Sequence, residues 1–499
     1  MNATTRTDTR GVRLLAERLT PLPSAPVSTT DDPLAFPGFG DKLARARDRS
    51  DADESVVVGL ARLGGEQVVA AIGAFDFLGG SMGAAHGERV AHAMATALEL
   101  RLPFVAVTGS GGARMQEGMV SLIQMSRLAE GVRRLREAGL PVLARFTSPT
   151  TGGVHASYGA LADVIVADAG ATVGFAGPRV VEAFTGHPVG DDSHTAEAAL
   201  TSGLVDEVAE ARDADERLAA WVRLLHPARR NGPLPDADHV DEPVLDIEAW
   251  DAVRRARRTD RPSTRDLLDE VFDEHLELRG DRAGEDDTAV VTAVARLGDR
   301  TVVVAGFDRR GCSDRPGRRP GQATAAGYRK LRRAAELAQR WGLSLVTLID
   351  TPGADPSPAS DRAGLAVAIA ETFVATLSVT APTVAVVTGE GGSGGALSLG
   401  CTDRLLMQDD SVFEVIAPEG AAAILHRDPT RAEEVAALLR PTAHQLRELG
   451  IADRIVPGPT TFDPATAATA LRAELTATLA DLDAEGDHLT QRRARYGPA

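Results

Sequence analysis

Two glycine clusters carry the pattern most able to do chemistry. Residues 388–400 read TGEGGSGGALSLG, and residues 148–159 read SPTTGGVHASYG. Ordered glycine costs conformational entropy, so such clusters mark places where backbone must come close to something. Each cluster follows an apolar run and precedes small residues, as expected where a strand turns into a closely packed helix. A helix start presents unpaired N–H groups and a partial positive charge. Two such amides can hold an oxyanion that develops during a reaction. A lone cluster would read as a tight turn and no more. Finding one at the matching place in each half of the chain shifts the reading towards chemistry. The spacing Gly389, Gly391, Gly394 also fits G-x-G-x-x-G. That motif belongs after the first strand of a dinucleotide unit, and here it follows several strands. No G-K-[ST] follows any glycine loop, so a P-loop is absent.

The elements around the clusters form a repeat. VVVGLARLGGEQVVAAIG begins at Val56, and VVTAVARLGDRTVVVAGFD begins at Val290. Both read as two strands about a Gly-containing turn. Helix-length segments follow, GERVAHAMATALEL from Gly87 and AAGYRKLRRAAELAQRW from Ala325. Each half then gives a buried strand with a glycine loop (PFVAVTGSGGARMQEG; LSLVTLIDTPGADP), a helix, and the strand that meets the cluster. Strands alternating with helices predict an α/β fold with parallel pairing. The copies lie roughly 240 residues apart, enough for two ordinary domains.

Composition narrows the function. The 499 residues carry 71 acidic against 54 basic side chains, a net charge of −17, and 4% aromatics. That balance argues against a nucleic-acid surface. No run of about 18 apolar residues suggests a membrane span. Only Cys312 and Cys401 occur, which excludes a disulfide framework and an all-cysteine zinc site within the chain. A reducing, cytoplasmic setting is the expectation. The expected organisation is a flexible extension (1–35, with a short helix at VRLLAERL), a first domain (36–226), a Pro-, Asp- and Arg-rich linker with a docking helix (227–262), a second domain (263–485) and a tail (486–499).

The motifs resemble a known family. FLGGSMGAAHGERV (77–90), SGGARMQEGMVSLIQM (110–125) and SPTTGGVHASYGALADVIVADAGATVGFAGPRVVE (148–182) resemble the β carboxyltransferase subunit of bacterial acetyl-CoA carboxylase. GDRAGEDDTAVVTAVARL (280–297), TLIDTPGA (347–354), TGEGGSGGALSLG and VIAPEGAAAIL (415–425) resemble its α subunit. The resemblance covers about 50–210 and 263–485. It implies a β–α fusion, two tandem crotonase-like domains, and transfer of CO2 from carboxybiotin on a carrier protein to an acyl-CoA, with acetyl-CoA giving malonyl-CoA.

That reaction needs two oxyanions held. By resemblance, Gly152 and Gly153 serve the thioester oxygen. Gly394 and Gly395 serve the ureido oxygen, with Gly391 and Gly392 as competitors. The resemblance further assigns Gly111, Gly112 and Arg114, then Phe175, Gly177 and Arg179, and also Gly420, to substrate. It places Pro418 beside Gly392, Gly394 and Gly395 for biotin. Arg114 and Arg179 also read as structural ion pairs, and His155 as a packed polar residue. Glu390 is placed to orient the loop, and Glu419 to cap a helix. Implied partners are a biotin carboxyl carrier protein, a biotin carboxylase and further copies of the chain. No biotin attachment sequence is present.

Two departures from the family pattern stand out. The four-cysteine zinc ribbon is missing, so no zinc is expected. The usual Glu-Glu-Arg-Gly-Gln-like run is replaced by Ser360-Asp361-Arg362-Ala363-Gly364. That replacement leaves open a biotin-independent decarboxylase of malonyl thioesters. A non-catalytic scaffold subunit is the third reading. Arg309, Arg310, Arg315, Arg318 and Arg319 form a basic loop, suited either to CoA phosphates and an acidic carrier or simply to solvent.

Overall fold

The computed structural model describes residues 19–22, 29–50, 52–190, 193–241, 244–311, 318–461 and 463–497. The chain divides into two compact units, Met1–Ala228 and Arg229–Ala499.

In the first unit, helix α1 (Phe39–Ser50) precedes the hairpin β1 (Val56–Leu63) and β2 (Glu66–Gly73). Gly64 and Gly65 both have positive φ, +57° and +87°, as the tight two-residue hairpin turn requires. Then come α2 (Ala84–Leu100), β3 (Phe104–Ser110), α3 (Gln124–Glu137), β4 (Val142–Thr151), β5 (Val164–Asp168), β6 (Val173–Gly174), α4 (Pro178–Thr185), β7 (Glu207–Ala209) and α5 (Ala214–Leu225). The sheet order is β1-β2-β3-β4-β5-β7. The hairpin is antiparallel and the remaining pairs are parallel. All seven residues of β3 are buried, as a strand covered on both faces demands.

The second unit opens with α6 (Ala249–Ala256), α7 (Thr264–Val271), β8 (Glu274–Glu277), β9 (Val290–Leu297) and β10 (Arg300–Phe307). It continues with α8 (Ala325–Trp341), β11 (Ser344–Thr351), α9 (Leu365–Ser378), β12 (Thr383–Gly392) and α10 (Ser393–Gly400). It closes with β13 (Arg404–Gln408), β14 (Val412–Glu414), α11 (Pro418–His426), β15 (Arg454–Val456), α12 (Pro464–Glu485) and α13 (His488–Tyr496). Its sheet order is β15-β13-β12-β11-β10-β9-β8.

The repeat is in step residue for residue where it matters. Ala84 corresponds to Ala325, Ser110 to Thr351 and Thr151 to Gly392, each 241 apart. In both units the register of the central pair shifts near its end, between Thr108 and Ser110 and between Ile349 and Thr351. Beyond the shift, β4 leaves β5 for β6, and β12 leaves β13 for β14. The strand ends therefore bend out of the main sheet, each carrying its glycine cluster.

Described parts of the extension, linker and tail pack onto the two units. Most of VRLLAERL lies outside the described residues. Further along the expected extension, Thr20 pairs with Leu60 through two 2.8 Å hydrogen bonds, and Leu22 joins the first core. Within the expected linker, α6 packs Ala252, Val253 and Ala256 against Val412. In the expected tail, α13 buries Arg492. Among the described residues, no helix is long and apolar enough to cross a membrane.

Candidate active site

In the first unit, two glycine loops lie backbone against backbone. Gly112 and Gly152 have φ of +112° and +61°. A Cβ on Gly152 would lie 2.6 Å from the Gly112 Cα, so no side chain fits there. Ser110 fixes the first loop by accepting the Gly112 amide at 3.0 Å, and Gly111 donates to Gly79 O at 3.1 Å. The Gly152 amide donates to Phe175 O at 2.8 Å. That N–H is occupied, so Gly152 supplies close approach, and Gly153 is the next amide in the turn. Gly153 is itself tight, with Met125 Sδ 3.3 Å from where a Cβ would sit. The His155 ring packs edge-on against Phe146, and burial lowers its pKa, which keeps it neutral.

Arg114 does not face a ligand. Its side chain is 1% exposed, and its fork is used within the protein: Glu54 at 2.5 Å, Glu117 at 2.7 Å, Thr30 at 2.8 Å and Ser81 O at 2.6 Å. Substrate contact is thus replaced by a strut behind the Gly111–Gly112 loop. Burial works to raise the Glu54 pKa, but the charge and hydrogen bonds of Arg114 win and hold it at about 2. Burial also lowers His86 to about 4, against the pull of Glu54. His86 therefore sits neutral between Ser55 and Tyr158. Phe175 is 75% exposed beside the turn, Gly177 is the residue before α4, and Arg179 is exposed in its first turn.

The second unit repeats the geometry with different residues. Gly353, φ +115°, takes the place of Gly112, and Thr351 accepts its amide at 3.1 Å. Gly391 and Gly392 are buried ladder residues of β12, opposite Phe413 and Glu414. A Cβ on Gly392 would lie 2.4 Å from the Pro352 carbonyl carbon. The residue matching Gly152 is Ser393, with φ +63°. The residue matching Gly153 is Gly394, which is exposed with open space around it. Gly395 lies one step further on, buried, where a Cβ would lie 2.2 Å from Tyr328 Oη. The pairing of Gly152-Gly153 with Gly394-Gly395 is therefore offset by one: the structural counterparts are Ser393 and Gly394. Pro418 and Gly420 lie in the first turn of α11, beyond β14.

Most of the basic loop is internally paired. Arg309 binds Asp350 at 2.6 Å and Glu390 at 3.2 Å. Arg310 binds Asp266, and Arg318 binds Asp287. Arg319, half exposed, lies 3.7 Å from Glu390. Arg315 and Cys312 lie outside the described residues. Ser360–Arg362 belong to a short helix capped by Ser357, and Gly364 (φ +84°) starts α9. Sequence reasoning missed Ser393, Thr30, Glu54, Arg257 and Glu414. Only Ser393 had an available signal, the 241-residue register of the repeat.

Residues 237–497 match the family described as acetyl co-enzyme A carboxylase carboxyltransferase-like. The match spans more than half the chain. The chain belongs to that family. Among relatives of this carboxyltransferase, the acetyl-coenzyme A carboxylase carboxyl transferase subunits beta/alpha of Salinispora tropica are 43% identical over 467 residues, covering 90% of this chain and 82% of the relative. The protein of the same description from Clostridium tetani is 34% identical, covering 85% and 74%. A solved transcarboxylase 12S, described as a hexamer with hydrolyzed methylmalonyl-coenzyme A bound, superposes with a TM-score of 0.74 over 95% of this chain and 90% of its own, at 24% identity. The fold is that of tandem crotonase-like domains. This carboxyltransferase is a fused β/α enzyme of the biotin-dependent acyl-CoA carboxylase type.

Proposed function

We infer that the chain is the carboxyltransferase component of an acetyl-CoA carboxylase, moving a carboxyl group from carboxybiotin to acetyl-CoA to form malonyl-CoA. Family membership supports the reaction class. The single structural observation behind the mechanism is the duplicated glycine turn, with Gly153 and Gly394 at matching positions where a strand gives way to a helix. The residues present fit a ureido group: Gly394 is exposed at the start of α10, with nothing within 4 Å of its Cβ position. Carboxybiotin, a co-substrate carried on a separate biotin carboxyl carrier protein and recharged by a biotin carboxylase, supplies the carboxyl group and a ring nitrogen able to take the α-proton. The chain binds two oxygens as charge gathers on them. Gly153 donates to the thioester oxygen as the enolate forms, and Gly394 donates to the ureido oxygen. Fixed donors of this type contribute about 3–4 kcal/mol each to the transition state. Gly111, Gly112, Phe175, Gly177 and Arg179 shape the CoA side, and Gly392, Pro418 and Gly420 the biotin side. The working form is a homo-oligomer.

The test is the reverse reaction: malonyl-CoA mixed with the protein, with and without biotin or biocytin, following acetyl-CoA. Turnover that requires biotin supports the reading. Equal turnover without it makes the chain a decarboxylase.

A further inference from the structure

Arg257 ends helix α6, in the stretch that the sequence marks as a linker with a docking helix. Its guanidinium reaches two elements at once. Nε donates to Glu390 at 2.9 Å, on β12 two residues before Gly392. Nη1 and Nη2 form a fork on Glu419 at 2.6 and 3.3 Å, in the first turn of α11. Bidentate Arg–carboxylate pairs fix geometry as well as adding energy. Four residues on, Arg261 donates to Thr388 O and pairs with Asp410 at 2.6 Å. The segment is thereby fastened to β12 at alternate residues, 388 and 390.

These contacts lie close to where β12 and β14 part. β12 and β14 are paired up to Gly392 and Glu414. Beyond that pair both chains emerge, one as Ser393-Gly394 into α10, the other through Val415, 70% exposed, to Pro418. We propose that Arg257 is a positioning residue for the biotin-side half-site, holding the glycine turn and the first turn of α11 at a fixed separation. The inference rests on the reading of Gly394 given above. Arg257 touches no reacting atom in this account and acts through Glu390 and Glu419.

Glu414 provides an independent readout. Both its oxygens are buried without a hydrogen-bond partner among the described residues. It faces Glu390 on β12, Arg257 on α6 (4.0 Å), Glu419 on α11 and Arg319 from the segment before α8. Burial, then the Glu390 charge, push its pKa up to about 8. At neutral pH it is protonated and leaves Arg257 to Glu390 and Glu419. Ionised, it competes for the same guanidinium.

The experiment measures malonyl-CoA turnover while varying biotin and malonyl-CoA separately, for wild type, Arg257→Met, Arg257→Lys and Glu414→Gln. Amide hydrogen exchange is followed over 388–395 and 415–422. Arg257→Met should raise half-saturating biotin about tenfold or more, leave that for malonyl-CoA within about twofold, and speed exchange in both segments. Arg257→Lys should recover part of each. Wild type should lose biotin affinity above about pH 8, and Glu414→Gln should remove that loss. Equal shifts for both substrates, or unchanged exchange, overturn the role of Arg257 while a biotin-dependent wild type upholds the function. A wild type indifferent to biotin overturns the function reading itself. If Arg257→Met does not fold, Arg257→Lys decides, with about a threefold biotin-specific shift expected.

Discussion

Gly152 and Ser393 occupy the same place in the two units with nearly the same backbone, φ +61° and +63°, yet only one carries a side chain. A glycine of similar φ stands in the facing loop of each unit, Gly112 and Gly353, and the difference lies in how closely that loop approaches the turn. In the first unit Gly112 Cα closes on the turn, whereas the Ser393 side chain is exposed. The surroundings differ as well. The first turn is backed by a buried Arg114–Glu54–Glu117 network. At the position matching Arg114, the second unit has Asp355, whose carboxylate accepts the Ser357 amide and hydroxyl in a local turn. The second turn is instead held by Arg257 and Arg309 through Glu390. One duplicated backbone is thus stabilised by two unrelated ionic supports. The shared function of the turns resides in main-chain geometry, and side chains are free to diverge around it.

The largest expected effect concerns the support unique to the first unit. Arg114→Met leaves two carboxylates buried without their counter-charge. It should cost about 3–5 kcal/mol, read as a fall in thermal stability. The pH dependence carries a sign. Because the folded Glu54 pKa lies near 2, below the ordinary 4.5, its contribution is present above about pH 4.5 and is lost as pH falls towards 2. The stability gap between wild type and Glu54→Gln should close over that window in acid unfolding.

Next comes an exchange between the turns. Gly152→Ser, which copies the second unit into the first, should lower turnover about 100-fold or more, since the loop must move off its donor geometry. Ser393→Gly should keep activity and gain up to about 1 kcal/mol by relieving left-handed strain. Comparable activity in both variants would break the distinction between the turns.

A smaller effect should appear one residue further along. Gly395→Ala should cost about 1–3 kcal/mol by overpacking against Tyr328 Oη. Among the described residues that hydroxyl is buried without a partner, so Tyr328→Phe in the same chain should recover most of the loss in denaturant titration. The smallest effect should come from the helix ends at matching positions. α2 ends on Arg101 at φ +54°, and α8 ends on Gly342 at φ +64°. Arg101→Gly should add about 0.5–1 kcal/mol.

The order of strands and helices was legible in the sequence because apolar runs of strand length alternate with helical segments and glycine turns in both copies. The glycine clusters were legible for the same reason, being backbone features written directly in residue type. Which residue takes the left-handed position was not legible from GGSGG itself, where serine has no local claim to it, and only the 241-residue register of the repeat points to Ser393. The supports were hidden for a different reason. Thr30 and Glu54 meet Arg114 across 84 and 60 positions of chain, and Arg257 meets Glu390 across 133. Such pairs leave no local periodicity. The stretch around Arg257 has a linker's composition, while its short apolar face, Ala252, Val253 and Ala256, is what docks it on β14.

The central claim is that the Gly394 amide of the second turn holds the biotin-side oxygen. The most direct measurement is acetyl-CoA formation from malonyl-CoA across a biotin titration, for wild type beside Gly394→Val. Valine keeps the N–H but fills the open space through which the ureido oxygen must approach it, and because nothing of the protein lies there the variant should fold with unchanged thermal stability. The account expects biotin-dependent turnover in wild type and its loss, by about 100-fold, in the variant. Undiminished biotin-dependent turnover in Gly394→Val would contradict it.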